Sequence, residues 1–172
     1  NQILKISNRY QDVGSAKGEL ISVKILGKWG AIDKKENIVV QPNYDEELKF
    51  VENISVIIYK GLWGLITNEG NEIVEPKNEL LERNEFGNYK IRLEGKYGLA
   101  GANGKILINT KYDSLEDLGN GFVIIQKGEK FGVTTLNGVN TIPQIYNKII
   151  YNSQLDAYFA STNQQWELII NE

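Results

Sequence analysis

The sequence predicts an all-β chain: five tandem repeats of about 34 residues, each made of short antiparallel strands and together forming a curved repeat array. Three observations carry this. An aromatic residue recurs at Trp29, Trp63, Tyr97, Phe131 and Trp166, at steps of 34, 34, 34 and 35 residues. Alternating apolar and polar runs precede it in each copy, and Gly- or Asn-Gly-containing turns follow at fixed offsets. No window shows a capped 3.6-residue periodicity, so no long helix is expected.

The elements follow in order within a unit. The run Tyr89-Lys90-Ile91-Arg92-Leu93-Glu94 places Tyr89, Ile91 and Leu93 on one face and charges on the other, the pattern of a half-buried strand. Its equivalents are Ile21/Val23/Ile25, Ile57/Tyr59 and Val123/Ile125. A Gly-x-aromatic-Gly tetrad comes next, at Gly27-Lys28-Trp29-Gly30, Gly61-Leu62-Trp63-Gly64 and Gly95-Lys96-Tyr97-Gly98, and survives as Phe131-Gly132. Its first Gly predicts a Gly-x hairpin turn of type II′. The second strand is expected over 29–33, 63–67, 97–101 and 131–135. Asn103-Gly104 and Asn137-Gly138 mark the turn after it. The third strand holds Val39/Val40, Ile73/Val74, Leu107/Ile108 and Thr141/Ile142, and is expected to stop at Pro42, Pro76 or Pro143. A Tyr slot (Tyr10, Tyr44, Tyr112, Tyr146, with Asn78 in the remaining copy) and an acid or amide (Asp45, Glu79, Asp113, Asn147) then turn the chain back. A short apolar touch at Leu48, Leu81, Leu115 or Ile149 leads into the next unit.

The whole chain, residues 1–172, reads as one domain, long enough to bury a sizeable core if the repeats share it. Leu4–Ile6 align with a third strand, and Trp166–Ile170 supply the second strand of the last unit. A closed five-bladed, propeller-like ring is therefore the alternative architecture. The chain starts at Asn1 and contains no Met, so the native start, with any signal peptide or lipid anchor, is expected upstream.

Composition narrows the function. With no Cys and no His, disulfides, Cys/His zinc sites and Ser-His-Asp or Cys-His catalysis are impossible. Net charge is −3, which provides no basic footprint for nucleic acid. Between Asp33 and Glu85 there are 12 acidic and 6 basic residues, which reads as a solvated acidic face. No apolar run is long enough to span a membrane as a helix. No Asp-rich calcium loop or strand–helix phosphate loop occurs. A carboxylate pair of the glycosidase kind stays formally open, but these carboxylates repeat with the scaffold. We expect no enzyme activity, no catalytic residues, no cofactor and no metal.

The tetrads, Asx-Gly turns, Pro42 and the Tyr44-Asp45 and Tyr112-Asp113 steps resemble the bacterial WG-repeat (KWG-repeat) family over nearly the whole chain. Departures are Phe131, the altered spacing at Gly128-Glu129-Lys130, Asn78, and Asn163 to Glu167. The resemblance implies a secreted, periplasmic or surface-attached bacterial protein and no established activity. The expected function is a non-catalytic scaffold for protein–protein interaction, with a protein partner. The alternative is a glycan or cell-wall binder that uses the aromatic side chains. The signature residues Gly27, Trp29, Gly30, Tyr44, Gly61, Trp63, Gly64, Gly95, Tyr97, Gly98, Tyr112, Phe131, Gly132, Tyr146 and Trp166 are read as structural. The aromatic residues would stack unit on unit, and Asp45, Glu79 and Asp113 would cap their own local turn.

Overall fold

The structure is a computed structural model and describes residues 6–17 and 19–170. Among these, every regular element is a strand, 18 in all, arranged in five antiparallel sheets. The first sheet runs β1 (Asp12–Lys17), β2 (Leu20–Ile25), β3 (Lys28–Ile32), β4 (Ile38–Tyr44). The second holds β5 (Ile54–Tyr59), β6 (Leu62–Thr67) and β7 (Glu72–Asn78). The third has β8 (Leu80–Arg83), β9 (Tyr89–Leu93), β10 (Lys96–Ala100) and β11 (Ile106–Tyr112) in sequence order. The fourth repeats this with β12 (Ser114–Asp117), β13 (Phe122–Lys127), β14 (Lys130–Thr135) and β15 (Asn140–Tyr146). The fifth holds β16 (Lys148–Asn152), β17 (Ala157–Thr162) and β18 (Gln165–Ile170). Every sheet is a meander, the connection that short loops between antiparallel strands produce. Leu4 and Lys5, part of the segment aligned with a third strand, lie outside the described residues.

The chain forms two compact units: residues 1–81 with 103–105, and residues 82–102 with 106–172. Within each unit the core sits between consecutive sheets. In the first, Ala31, Val40 and Tyr44 of one sheet meet Ile57 and Ile66 of the next, together with Leu48 and Phe50 from the connection. In the second, Leu99, Ile108 and Tyr112 pack with Leu115, Val123 and Ile125. Val133, Ile142 and Tyr146 likewise pack with Ile149, Tyr158 and Ala160. The second strand of a sheet is therefore covered on both faces, and Ala31, Leu65, Leu99 and Val133 at its centre are sealed from solvent. Burying a side chain of the Leu or Val class stabilises by about 1.5–3 kcal/mol, so these layers hold the repeats together.

The second strands fall where the periodicity puts them, but four local expectations are corrected. First, the tetrad turn is not of the Gly-x type in the first three repeats. Its two central residues are Leu26-Gly27, Lys60-Gly61 and Glu94-Gly95, all at positive φ, the mark of a type I′ turn. Only the fourth hairpin has Gly first, with Gly128 alone at positive φ. Second, the Asn-Gly pairs do not form two-residue hairpins. They lie in longer loops with the Gly left-handed; at Asn137-Gly138 the turn closes by a hydrogen bond from Gly138 N to Thr135 O (2.9 Å), and the equivalent Gly70, which follows Glu69, closes the same way onto Thr67 O (3.0 Å). Third, Pro42, Pro76 and Pro143 do not end the third strand; each lies inside β4, β7 or β15. Fourth, the apolar touches at Leu81, Leu115 and Ile149 lie in the outer strands β8, β12 and β16.

Candidate functional site

The tetrad's second glycine explains how a strand carries a proline through its middle. Trp29 pairs with Tyr44 and Ala31 with Val40, so Gln41, Pro42 and Asn43 all stand opposite the single residue Gly30. The same wide bulge faces Gly64, Gly98 and Gly132. The bulged backbone fills the space a side chain would need. A Cβ on Gly30 would lie 2.5 Å from Val40 O and 2.8 Å from Pro42 N, and Gly64 and Gly98 show the same encounter. At Gly132 the nearest backbone atoms would be 2.9 Å away. Proline is tolerated because a bulge residue owes no ladder hydrogen bond.

Beyond the bulge the strand returns to register and delivers the Tyr slot. Tyr44, Tyr112 and Tyr146 are buried, as is Asn78 in the same place. The Tyr44 hydroxyl donates to Glu72 Oε1 (2.7 Å), and Tyr146 donates to Glu167 Oε2 (3.1 Å). Tyr10 donates to Glu36 Oε2 (3.1 Å). Burial, and then the carboxylate acceptor, push the Tyr44 phenol far above its usual value and raise that of Tyr146. Asn78 fills the slot by another route, donating its amide to Trp63 O (3.1 Å) and Glu75 O (3.3 Å).

The residue after the Tyr slot reaches farther than a local cap. Asp45 accepts from Lys28 Nζ (2.5 Å) in its own repeat and from Gly61 N (3.0 Å) in the next hairpin turn. Asp113 does the same with Lys96 Nζ and with Gly128 N (2.6 Å). Gln11 and Asn147 receive the turn amides of Gly27 (2.6 Å) and Asn163 (3.2 Å). These side chains tie one repeat to the hairpin of the next. The lysine, and then the turn amide, hold the Asp45 and Asp113 carboxyls below the ordinary carboxylate value.

The aromatic ladder does not stack ring on ring: among the described residues no ladder ring pairs with another. Trp29 is buried, Trp63, Tyr97 and Phe131 are half-buried, and Trp166 is exposed. Two of the rings, Trp29 and Tyr97, are covered by cations of the neighbouring strand of their own sheet. Lys24 Nζ sits 5.7 Å from the Trp29 ring centroid, directly across the ladder, and Lys90 Nζ sits 4.6 Å from that of Tyr97. Gly27, Gly61 and Gly95 have open space around a notional Cβ, so backbone conformation alone selects them.

Two concavities lie beside the signature residues in the first unit. One of about 430 Å³ is lined by Asn43, Tyr44, Tyr59, Glu72, Glu75 and Pro76. The other, about 290 Å³, is walled by Trp63, Val56, Ile58 and the polar side chains of Glu46, Glu47, Lys49 and Ser55. Sequence reasoning read Tyr59 only as a strand residue beside Ile57 and missed Glu72 and Glu75, which carry no repeated signal.

The fold and these repeated contacts define an all-β tandem-repeat protein. Residues 29–62 and 97–131 each match the model of the WG-containing repeat family, so the chain carries WG-containing repeats. No curated protein matches the chain. Among solved structures, it is similar to Hsv2 of Kluyveromyces lactis with loop 6CD replaced by a Gly-Ser linker. Identity is 12%, over 91% of this chain and 62% of that one, at a TM-score of 0.40. It is also similar to the N-terminal domain of Nup159 (13% identity, 88% of this chain, 56% of that one, TM-score 0.39). The extracellular domain of a hybrid two-component system of B. thetaiotaomicron matches at 8% identity, over 92% of this chain and 27% of that one, at a TM-score of 0.39. The chain thus spans less than two thirds of each of these structures. No helix among the described residues is long and apolar enough to cross a membrane.

Proposed function

We propose that this chain is a non-catalytic repeat scaffold whose surface binds another protein, at the cell envelope of a bacterium. One observation carries the reading. The repeated signature other than Trp166 is engaged inside the frame, whereas several large apolar side chains left in solvent stand where the other repeats carry polar residues or glycine. Leu26, at a hairpin tip where other repeats have Lys60 and Glu94, is 89% exposed. Phe86 and Leu155 are further examples. A contiguous exposed apolar stripe, such as Trp166, Leu168 and Ile170 on one face of β18, marks an interaction site on a folded domain. The resemblance to WG-repeat proteins supports the envelope location. The test is affinity capture from envelope extract with the wild-type chain and with Leu26→Lys/Phe86→Lys. A protein enriched by the first and lost with the second supports the reading. Equal recovery by both moves the binding face elsewhere, and recovery of no protein removes the reading.

A second reading, glycan binding, is favoured by the concavity at Tyr44 and Tyr59. There aromatic faces stand beside the carboxylates of Glu72 and Glu75, the mix that holds a sugar ring. Titration with wall polysaccharide should then weaken on Tyr59→Ala. An unchanged response removes it.

A further inference from the structure

Each ladder ring faces one residue directly across the pairing with the preceding strand. These residues are Lys24 for Trp29, Ile58 for Trp63, Arg92 for Tyr97, Gln126 for Phe131 and Ser161 for Trp166. Where the residue is basic, its cation lies over the ring. Lys24 Nζ is 5.7 Å from the Trp29 centroid, and Arg92 Cζ is 5.9 Å from that of Tyr97. Lys90, two residues before Arg92 and so on the same face of β9, brings a second cation to 4.6 Å from Tyr97. In the second repeat both positions are aliphatic. Ile58 stands where Lys24 and Arg92 stand, and Val56 stands where Lys90 stands.

This exchange coincides with a space beside the ring. The concavity of about 290 Å³ is walled by Trp63, Val56 and Ile58, with Glu46 and Glu47 in its lining. Trp63 is half-buried, whereas Trp29, under its lysine, is 9% exposed. Among aromatic side chains, Trp attracts a cation most strongly. Val56 and Ile58 offer an apolar bed of the kind on which a basic side chain lays its methylene stem. Lys49, which also lines the concavity, directs its Nζ to Glu47 Oε2 (3.5 Å). Glu47 further accepts from the Ser15 amide and hydroxyl, which makes the exposed Glu46 the carboxylate available to an incoming charge. The 12 acidic and 6 basic residues between Asp33 and Glu85 add a field that favours a cationic partner.

We propose that the concavity at Trp63 receives a lysine or arginine side chain from a basic segment of the partner protein. The partner supplies from outside the cation that Lys24 and Arg92 supply from within the chain. Its stem lies on Val56 and Ile58, and its charge lies over the Trp63 ring and towards Glu46. This rests on the interaction reading and assigns it a site and a partner chemistry.

The test uses the full chain, labelled with nitrogen-15, and the pentapeptide Ser-Gly-Lys-Gly-Ser blocked at both ends. A second peptide has norleucine, an uncharged side chain with a similar stem, in place of lysine. Nuclear magnetic resonance follows the Trp63 indole, assigned as the signal missing from Trp63→Phe, and the Val56 and Ile58 amides. The lysine peptide should shift these signals saturably. The norleucine peptide should bind at least about tenfold more weakly, a difference of about 1.4 kcal/mol. Ile58→Lys gives the second repeat its own cation and should weaken the lysine peptide at least about tenfold. Circular dichroism confirms that this variant is folded, and Val56→Lys replaces it if it is not. No saturable shift with the lysine peptide overturns the proposal. So does equal binding of the norleucine peptide, or indifference to Ile58→Lys. Binding seen only in Lys49→Gln also overturns it and gives the ring to the chain's own Lys49. Glucosamine that saturates the same signals more tightly than the lysine peptide overturns it in favour of an amino sugar. A natural partner captured equally by wild type and Ile58→Lys would keep the interaction function while removing this site.

Discussion

Two glycines three residues apart in one tetrad should fail for opposite reasons when each is replaced by alanine. Gly61 has φ +77 and nothing within 4 Å of a notional Cβ. Gly61→Ala therefore adds no clash and costs only the left-handed conformation, about 1–2 kcal/mol. Gly64 has no unusual φ, but its Cβ would meet Val74 O at 2.5 Å, Pro76 N at 2.8 Å and Pro76 Cα at 2.9 Å. All three are backbone atoms of the bulge, so no side chain can rotate away. Relief requires β7 to withdraw, with loss of ladder hydrogen bonds worth about 1 kcal/mol each in addition to overpacking of about 1–3 kcal/mol. Gly64→Ala should cost about 3 kcal/mol, and Gly61→Ala about half of that or less. Asparagine separates the mechanisms further: it tolerates the left-handed region, so Gly61→Asn should be milder than Gly61→Ala, whereas Gly64→Asn gains nothing. Urea unfolding followed by circular dichroism and by tryptophan fluorescence measures all four variants. If Gly64→Ala is no more damaging than Gly61→Ala, the bulge is not what selects the second glycine.

Other outcomes follow from the same geometry. Trp29→Ala removes a buried ring and should cost about 3–5 kcal/mol, whereas Trp63→Ala, half-buried on a concavity, should cost about 1–2 kcal/mol; equal costs in urea unfolding would contradict the assignment. Asp45 and Asp113 have folded pKa values below their unfolded ones, so their stabilisation is present above the unfolded value near pH 4 and is lost as pH falls through and below it. The Asp45→Asn/Asp113→Asn variant should therefore lose stability less steeply than wild type between about pH 5 and 3 in acid unfolding. The Tyr44 phenol is raised, so its contribution is intact below about pH 10 and disappears above it as the unfolded chain ionises. Ultraviolet titration of Tyr44→Phe should lack one late-ionising tyrosine, and its stability near pH 7 should be lower by about 1–2 kcal/mol for the lost bond to Glu72.

Much of the fold was legible because it depends on local pattern. The spacing of Trp29, Trp63, Tyr97 and Phe131 located the second strands to within a residue, and the alternation at Tyr89, Ile91 and Leu93 marked a first strand with its buried face. What was not legible depends on pairing across the chain. Pro42 looks like a stop until Gly30, twelve residues away, is seen to make room for a bulge. Leu26, Lys60 and Glu94 carry no turn signal of their own, yet the hairpin forces each to positive φ. Asp45 reads as a local cap because the Gly61 amide is sixteen residues distant in sequence. The concavity beside Tyr44 was invisible for a further reason: Tyr59 at the end of β5 and Glu72 and Glu75 on β7 are brought together only by the pairing of separate strands. Glu167 was visible as a departure from the tetrad, but its role as acceptor of the Tyr146 hydroxyl, twenty-one residues away, required the structure.

The most direct test of the central claim is affinity capture with this chain on envelope extract from the cell that makes it, analysing the eluate for protein and for sugar together. The account predicts an enriched protein whose recovery falls when exposed apolar residues outside the repeat signature are changed to lysine. Glycan without protein would contradict it and shift the function to the aromatic concavity beside Tyr44.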